Sequence, residues 1–215
     1  LAESFGVGEA ASRTAIGTST ATRTAVREPM KLFDAFVFGQ RERSILNLRV
    51  DTTCGVADHI IISIGSTSHS GDALPEPHLS PSSIRELRAR CTRTPIHVVL
   101  VDTTPPRGTK HRSWHALGMQ MNALAIKARQ LGMEPSDLIV VSEHDEIPNP
   151  SLLASLALSG GFGSGPATAK LRTSYLYLYH AYCHGGQEWN AGFVANGAAL
   201  DLKINRAAQY IVLPP

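Results

Sequence analysis

The sequence predicts an α/β fold in which helices cover both faces of a mainly parallel sheet. Between residues 30 and 160, short apolar runs alternate with segments of helical period, and the connections between them are short. This alternation is typical of strand–helix–strand units with a parallel sheet. Beyond residue 165 the pattern becomes β-rich, which indicates a more irregular carboxyl-terminal part of the same domain.

Four apolar runs predict the strands of the parallel sheet: Leu32–Phe38, Asp58–Ile64, Pro95–Val101 and Leu138–Val141. The first run carries Asp34 and closes at Gly39, and the third ends at Asp102. The fourth is entirely apolar, as expected of a strand that is buried on both faces.

Four segments predict helices. The first, over residues 41–50, should turn Ile45 and Leu48 inward and its charged side chains outward. A capping box at Ser83–Glu86 predicts the start of a second, which ends near Cys91.

The third helix is predicted over Ser113–Leu131 and stops at Gly132. Its apolar residues recur at steps of three and four, which predicts one continuous apolar face: Trp114, Leu117, Met121, Leu124, Ala128 and Leu131. A fourth helix should begin with Asn149 as N-cap and Pro150 at the first helical position, and run through Leu158.

The two ends of the chain differ from this pattern. Residues 1–29 are rich in Ala, Thr, Ser and Gly and keep no period, which predicts a disordered tail or stem before one domain over residues 30–215. The segments Ala169–Tyr182 and Trp189–Ala195 predict antiparallel strands. From the residues at its two ends, we expect the chain to be a carboxyl-terminally truncated piece of a longer protein.

Composition excludes some classes of function. The 215 residues are 43% hydrophobic and 18% charged with a net charge of +2, which argues against a dedicated nucleic-acid binder. No apolar run is long enough to span a bilayer. The three cysteines, Cys54, Cys91 and Cys183, leave the disulfide state and the redox compartment open.

The strongest candidate site is the acid turn, residues Glu143–Glu146, directly after the fourth predicted strand. Ligands of open α/β sheets bind outside the carboxyl ends of the strands. Three carboxylates at such a place repel one another unless a cation lies among them, and oxygen ligands suit Mg²⁺ or Mn²⁺. Alternatively, Asp145 and Glu146 only complement the dipole of the next helix. The buried strand before the turn and Pro148 after it favour the metal site.

Other candidates are weaker. The Gly-rich stretch 160–165 lacks the ending of a phosphate-binding loop and is interpreted as a flexible loop. His111 and His115 are interpreted as surface residues, and the order of His180, Cys183 and His184 fits no standard zinc spacing. The alternating tyrosines of residues 175–179 are predicted to lie on one strand face, and both core packing and a platform for a sugar ring are possible roles for them. No GxSxG motif is present.

Four segments, taken in order, resemble one family: FDAFVFGQRERSILNLRV, VADHIIISIGSTSHSG, PIHVVLVDTTPP and SEHDEIPNPSLLASL. The family is that of β-1,4-mannosyl-glycoprotein 4-β-N-acetylglucosaminyltransferase, which adds the bisecting sugar. The resemblance spans roughly residues 33–189, and DEIP in its strand context is its most specific part. Residues on matching positions are Asp34, Glu42, Arg49, Ser68, Gly71, Trp114, Gln120, Asn122, Asp145, Glu146, Ile147, Pro148 and Trp189.

The resemblance implies a GT-A-like, metal-dependent glycosyltransferase. Its donor would be UDP-N-acetylglucosamine and its acceptor a mannose of an N-linked glycan, joined with inversion. Mn²⁺ or Mg²⁺ would be held by Asp145 with help from Glu143, which stands where the family has Asp. Glu146 is the candidate catalytic base. The donor would be bound by Asp34, Glu42, Arg49, Gln120 and Asn122, and the acceptor by Trp189.

The same resemblance implies the lumenal side of the Golgi membrane, with anchoring only through a segment not present in this chain. Ile64 and Met121 depart from the family pattern. They favour a second hypothesis, a non-catalytic sugar-binding remnant. A third is a Mg²⁺-dependent phosphatase, although the run Asp34-Ala-Phe36 lacks the second Asp that such enzymes use.

Overall fold

The computed structural model describes residues 30–39, 43–68, 72–74, 79–109, 112–161, 168–170 and 192–200. Within these ranges the helices and strands follow in this order: β1 (Leu32–Phe38), α1 (Arg43–Thr53), β2 (His59–Gly65), α2 (Pro81–Arg90), β3 (Ile96–Val101), α3 (Arg112–Gln130), β4 (Leu138–Glu143), α4 (Pro150–Leu158), β5 (Thr168–Lys170) and β6 (Phe193–Asn196). The predicted alternation of strands and helices is confirmed.

The strands form one sheet in the order β3-β2-β1-β4-β6-β5. Strands β1 to β4 pair in parallel, whereas β6 runs antiparallel to both β4 and β5. The predictions of a mainly parallel sheet and of antiparallel strands in the last part are therefore confirmed for the described residues. From β1 the chain builds outward through β2 and β3 on one side and returns to β4 on the other. The topological switch point lies between β1 and β4.

Helices cover both faces of the sheet, as predicted. On one face the side chains of alternate strand residues pack with α1, α2 and α4, in a core that includes Phe36, Ile62, Val140, Leu46, Leu87 and Leu153. On the other face the intervening residues pack with α3, in a core that includes Ile61, Ile139, Leu124, Ala125 and Ala128. All seven residues of β1 are buried because this strand is central to both layers.

The starts of α2 and α4 show how local side chains fix helix boundaries. Helix α4 begins as predicted, because the Asn149 side chain accepts hydrogen bonds from the backbone N–H groups of Ser151 and Leu152. For α2 the predicted capping box is wrong. Ser80 is the N-cap and accepts from the Ser83 N–H, and Pro81 fills the first turn.

Two predicted inward-facing residues are exposed. Ile45 is buried as expected, but Leu48 is 42% exposed on α1 and Trp114 is 57% exposed on α3. Trp114 lies in the first turn of α3, ahead of its first buried residue, Ala116. On α1 the prediction that charged side chains face outward is also wrong, because Arg49 is fully buried.

A disulfide joins the carboxyl-terminal ends of α1 and α2. Cys54 and Cys91 form the bond across a separation of 37 residues. In the chain-entropy account, closing a loop of this length restricts the unfolded chain by about 4 kcal/mol. The disulfide state that the cysteine count left open is therefore assigned for this pair, whereas Cys183 lies outside the described residues.

Several sequence-based predictions fall outside the described residues. They are the tail over residues 1–29, most of the Gly-rich stretch, the tyrosines of residues 175–179, and His180, Cys183 and His184. Among the helices that the structure describes, none has the length and apolar character needed to cross a membrane.

Two half-buried imidazoles lie together where β2 begins and predict how stability depends on pH. His59 Nδ1 and His97 Nε2 are 3.3 Å apart, and burial lowers the pKa of both side chains. A lowered pKa means that the unfolded chain binds protons more readily than the folded one. The free energy of unfolding should therefore be unaffected by these two histidines above their ordinary pKa of 6.5 and should decrease as the pH falls below it.

The measurement is urea unfolding of the parent and of His97→Gln at about pH 7.5 and about pH 5. We expect the variant to lose less free energy of unfolding than the parent between the two pH values. Carboxylates contribute equally to both proteins, so the difference isolates the imidazole. An equal loss in both would contradict the prediction.

Candidate functional site

The acid turn lies beside the switch point, at the carboxyl ends of β1 and β4. Glu143 ends β4, and its register partner is Val37 of β1. The Glu146 N–H donates to the Glu143 carbonyl oxygen at 3.1 Å, which closes a tight turn. In return, the Glu146 carboxylate accepts from the Glu143 N–H at 2.9 Å. These two bonds fix the backbone between the three acids.

Arg49 of α1 holds this turn from behind. Its Nη1 donates to the carbonyl oxygens of Glu143 at 2.5 Å and Glu146 at 3.1 Å. The guanidinium carbon lies 4.1 Å from the centre of the Phe36 ring, so the planar group is also packed against the sheet. The side chain of Arg49 has no solvent exposure. Helix α1 is thereby tied to the backbone of the acid turn.

Asp34, in the middle of β1, is the ionic partner of Arg49. Arg49 Nη2 lies 2.6 Å from Asp34 Oδ1, and Nε lies 3.3 Å from Oδ2. The Thr53 hydroxyl donates to the same carboxylate at 2.9 Å. Both charged side chains are 0% exposed. The structure therefore places these two predicted donor-binding residues in the interior, where they brace the acid turn and do not face a ligand.

The acid turn crowds three carboxyl groups together. Burial raises the pKa of Glu143 to about 7, and the charges of Asp145 and Glu146 add to the shift. Asp145 is half-buried at the corner of the turn. Among the described residues, no group of three or more His, Cys, Asp and Glu side chains is arranged to hold a metal ion. A cation here would use one or two carboxylates, with the remaining ligands from substrate or water.

The other members of the turn point inward. Glu146 is 2% exposed, and its carboxylate is engaged by the Glu143 amide. His144 is 3% exposed, its N–H donates to the Val37 carbonyl at 3.0 Å, and its ring meets the edge of Phe38 at 5.2 Å. Because Glu146, the predicted catalytic base, is almost completely buried, the turn would have to open before this carboxylate could take a proton from a substrate.

The remaining predicted residues are not brought together. Gln120 is 6% exposed and faces the sheet, while Asn122 is half-buried two positions further along α3. Residues two apart on a helix point about 200° apart, so they cannot face one ligand from the same side. Glu42 and Trp189 lie outside the described residues.

Gln120 packs closely above Gly65. A Cβ at Gly65 would come within 3.1 Å of Gln120 Nε2 and 2.9 Å of Thr103 Oγ1. The Gln120 Oε1 is a buried acceptor with no hydrogen-bond partner. Gly65 is therefore needed for this close approach of α3 to the carboxyl end of β2.

A second polar feature, which sequence reasoning missed, follows β2 and β3. Asp102 Oδ1 accepts from Thr104 N–H at 3.0 Å and from Ser66 Oγ at 3.1 Å. Hydrogen bonding to the Thr104 side chain, the Thr104 N–H and Ser66 lowers the pKa of Asp102. A cavity of about 240 Å³ opens beside them, lined by Ile64, Gly65, Ser66, Leu74, Leu100, Val101 and Asp102. The sequence signal that could have predicted this feature is the position of Ser66 and Asp102, which directly follow the apolar runs of β2 and β3.

In comparison with known proteins, the chain matches no protein-family model and no curated protein sequence.

Replacing Arg49 by Leu should strongly lower the free energy of unfolding. The substitution leaves the Asp34 carboxylate buried without its cation, which typically costs about 3–5 kcal/mol. Urea unfolding measures the loss. Arg90→Leu is the matched control because its pair with Asp51 is about half exposed, and we expect little change there. Similar losses in the two variants would contradict a special role for the buried pair.

Glu143→Gln should change the pH dependence of stability in metal-free protein. The pKa of Glu143 in the folded state, about 7, is above the ordinary glutamate value of 4.5, so the parent loses stability as pH rises between these values, by about 3 kcal/mol. The amide of the variant does not titrate. As the pH rises from 4.5 to about 7, the free energy of unfolding of the variant should therefore increase relative to that of the parent. Urea unfolding in the presence of EDTA at several pH values measures the difference.

Glu86→Gln is the control for that comparison, because the Glu86 side chain is 72% exposed. We expect its difference from the parent to stay constant with pH. If Glu143→Gln behaves in the same way, the Glu143 carboxyl titrates normally and the inferred charge crowding is absent.

Proposed function

We propose that this chain is the donor-binding part of a metal-dependent glycosyltransferase that transfers N-acetylglucosamine from UDP-N-acetylglucosamine to a mannose of an N-linked glycan. The observation that carries the proposal is the acid turn: three carboxylates on a braced turn beside the switch point of a parallel sheet. Ligands of such sheets bind at this place.

The charge on the turn supports a divalent cation there. Burial, together with the neighbouring charges of Asp145 and Glu146, raises the pKa of Glu143, and either protonation or a bound cation would stabilise the carboxyl there. Carboxylate oxygens suit Mg²⁺ or Mn²⁺, which commonly take one or two protein carboxylates together with substrate phosphates. Asp145 and Glu143 would hold the ion. When bound, it would neutralise charge on the diphosphate leaving group.

The cavity beside Asp102 supports a ligand longer than a metal ion. It opens at the carboxyl ends of β2 and β3, the same edge of the sheet as the acid turn, with β1 between them. Neighbouring strands are about 4.8 Å apart, so the two features lie roughly 10 Å from each other across the edge. The volume is below that of most whole-ligand pockets, which fits one part of a ligand, such as a base or a sugar ring.

The roles of the braced residues differ from those the family resemblance implied. Arg49 and Asp34 hold the backbone of the acid turn and do not line the nucleotide. Glu146 shapes the turn through its carboxylate. In this proposal Asp145 is the central ligand with Glu143 beside it, since both carboxylates are half-buried whereas that of Glu146 is buried.

The finer identity of donor, acceptor and location comes from the sequence resemblance. The segments over residues 33–189 are similar to the bisecting N-acetylglucosaminyltransferase family, which implies the Golgi lumen. The Cys54–Cys91 disulfide fits this location, because such bonds persist in oxidising compartments.

The test is binding of UDP-N-acetylglucosamine with and without Mn²⁺, by calorimetry, for the parent and Asp145→Asn. We expect Mn²⁺ to strengthen binding in the parent, and the variant to lose about tenfold or more of that gain because a ligand oxygen is lost. Asp51→Asn is the matched control, since Asp51 is exposed on α1 and pairs with Arg90. Metal-dependent affinity that is unchanged in Asp145→Asn would refute the metal assignment.

The same measurements separate the two alternatives. Glycan binding without affinity for UDP would favour a non-catalytic sugar-binding remnant. Release of phosphate from a simple ester would favour the phosphatase, which gains no support from Asp34, because this carboxylate is buried in mid-strand against Arg49.

A further inference from the structure

A pair of imidazoles that the proposed function does not use lies at the opposite end of the strands from the acid turn. His59 begins β2, and His97 lies on the neighbouring strand β3, where its register partner is Ile61. Both side chains are on the α3 face and both are half-buried. They lie at the amino ends of the strands, whereas the acid turn lies at the carboxyl ends.

The distance between the two nitrogens fits two ligands of one metal ion. His59 Nδ1 and His97 Nε2 are 3.3 Å apart. Imidazole nitrogens bind Zn²⁺ at about 2.0–2.1 Å, so two of them at a tetrahedral ion are separated by about 3.3–3.4 Å. Without metal, one of these nitrogens donates to the other in a hydrogen bond slightly longer than the usual range of about 2.7–3.2 Å, and a metal ion would replace the shared proton.

The two rings are held ready for such a role. The His59 ring stacks on the fully buried Phe33, with centroids 5.0 Å apart and planes at 23°. This contact limits rotation of the ring. The His97 ring is tilted by 49° to that of His59, with centroids 5.4 Å apart, so the nitrogens approach edge to edge and not through stacked faces.

Burial favours the neutral form of both imidazoles, which is the form that binds metal. Burial lowers the pKa of each, so that both are neutral at neutral pH. Three cations near the pair, Lys31, Lys127 and Arg88, oppose a bound metal ion, while Asp58 and Asp137 favour one. Because the side chains are only half-buried, water can supply the remaining ligands.

We propose that His59 and His97 form a two-histidine site for a borderline divalent cation such as Zn²⁺, bound through His59 Nδ1 and His97 Nε2 and completed by water. Imidazole suits Zn²⁺, Cu²⁺ and Ni²⁺, whereas the carboxylates of the acid turn suit Mg²⁺ and Mn²⁺. The site is thus distinct from the acid turn in place and in metal class. It clamps β2 to β3 at their amino ends.

The test is thermal unfolding of the whole chain with increasing Zn²⁺. At free metal ten times Kd, binding to the folded state alone should raise the unfolding temperature by about 3–6 °C. We expect the rise in the parent and in His115→Gln, a matched control on α3, and its loss in His59→Gln and His97→Gln. A rise that persists in either of these two variants, or no rise in the parent, would overturn the proposal.

A second measurement on the parent does not depend on the variants folding. Zn²⁺ should shift the ¹⁵N signals of His59 Nδ1 and His97 Nε2, the two nitrogens assigned as ligands, more than those of their opposite ring nitrogens. Shifts confined to other histidines, or to the opposite nitrogens of this pair, would likewise overturn it.

Discussion

The buried ion pair between Arg49 and Asp34 is the interaction on which the candidate site depends. Removing two charges from water costs several kcal/mol for each, and an ion pair offsets that cost only when its remaining hydrogen-bonding capacity is used. Here the Thr53 hydroxyl and two backbone carbonyls complete the set. Because those carbonyls belong to Glu143 and Glu146, the pair fixes the shape of the acid turn as well as the packing of α1 on the sheet.

This arrangement explains how three acids can occupy one turn. Arg49 donates two of its five N–H groups to the carbonyl oxygens of the turn, and the Glu146 carboxylate accepts a hydrogen bond from the Glu143 N–H. What remains uncompensated is the side chain of Glu143, with Asp145 beside it, and this is where the pKa rises. Hydrogen bonds thus hold the backbone of the turn while carboxyl groups are crowded at Glu143 and Asp145, and this combination supports the cation site that we propose.

The sheet separates two chemical environments. At the carboxyl edge are carboxylates, hydroxyls and a small cavity, and at the amino edge between β2 and β3 is a pair of neutral imidazoles. The disulfide between Cys54 and Cys91 ties the ends of α1 and α2 on one face. Helix α3 packs across β1, β2 and β3 on the other face, and Gly65 permits its close approach to β2.

The sequence by itself determined the features that depend on near neighbours. The periods of apolar residues placed all four parallel strands, and Asn149 with Pro150 placed the start of α4, because caps and amphipathic faces involve residues a few positions apart. The acid turn was located in the same way, from the apolar run before it and Pro148 after it. A competing local signal misled the prediction for α2, where Pro81 and Ser80 set the boundary before the expected capping box.

Only the tertiary structure decided the pairings between distant residues. The family resemblance predicted that Asp34 and Arg49 bind a ligand, but the structure buries them against each other as an ion pair. A sequence does not show which charged residues will be paired in the interior. The partner of Cys54, the pKa of Glu143 and the meeting of His59 with His97 depend in the same way on strand order and helix placement. Local chemistry fixes where elements begin and end, whereas burial and charge pairing are properties of the assembled layers.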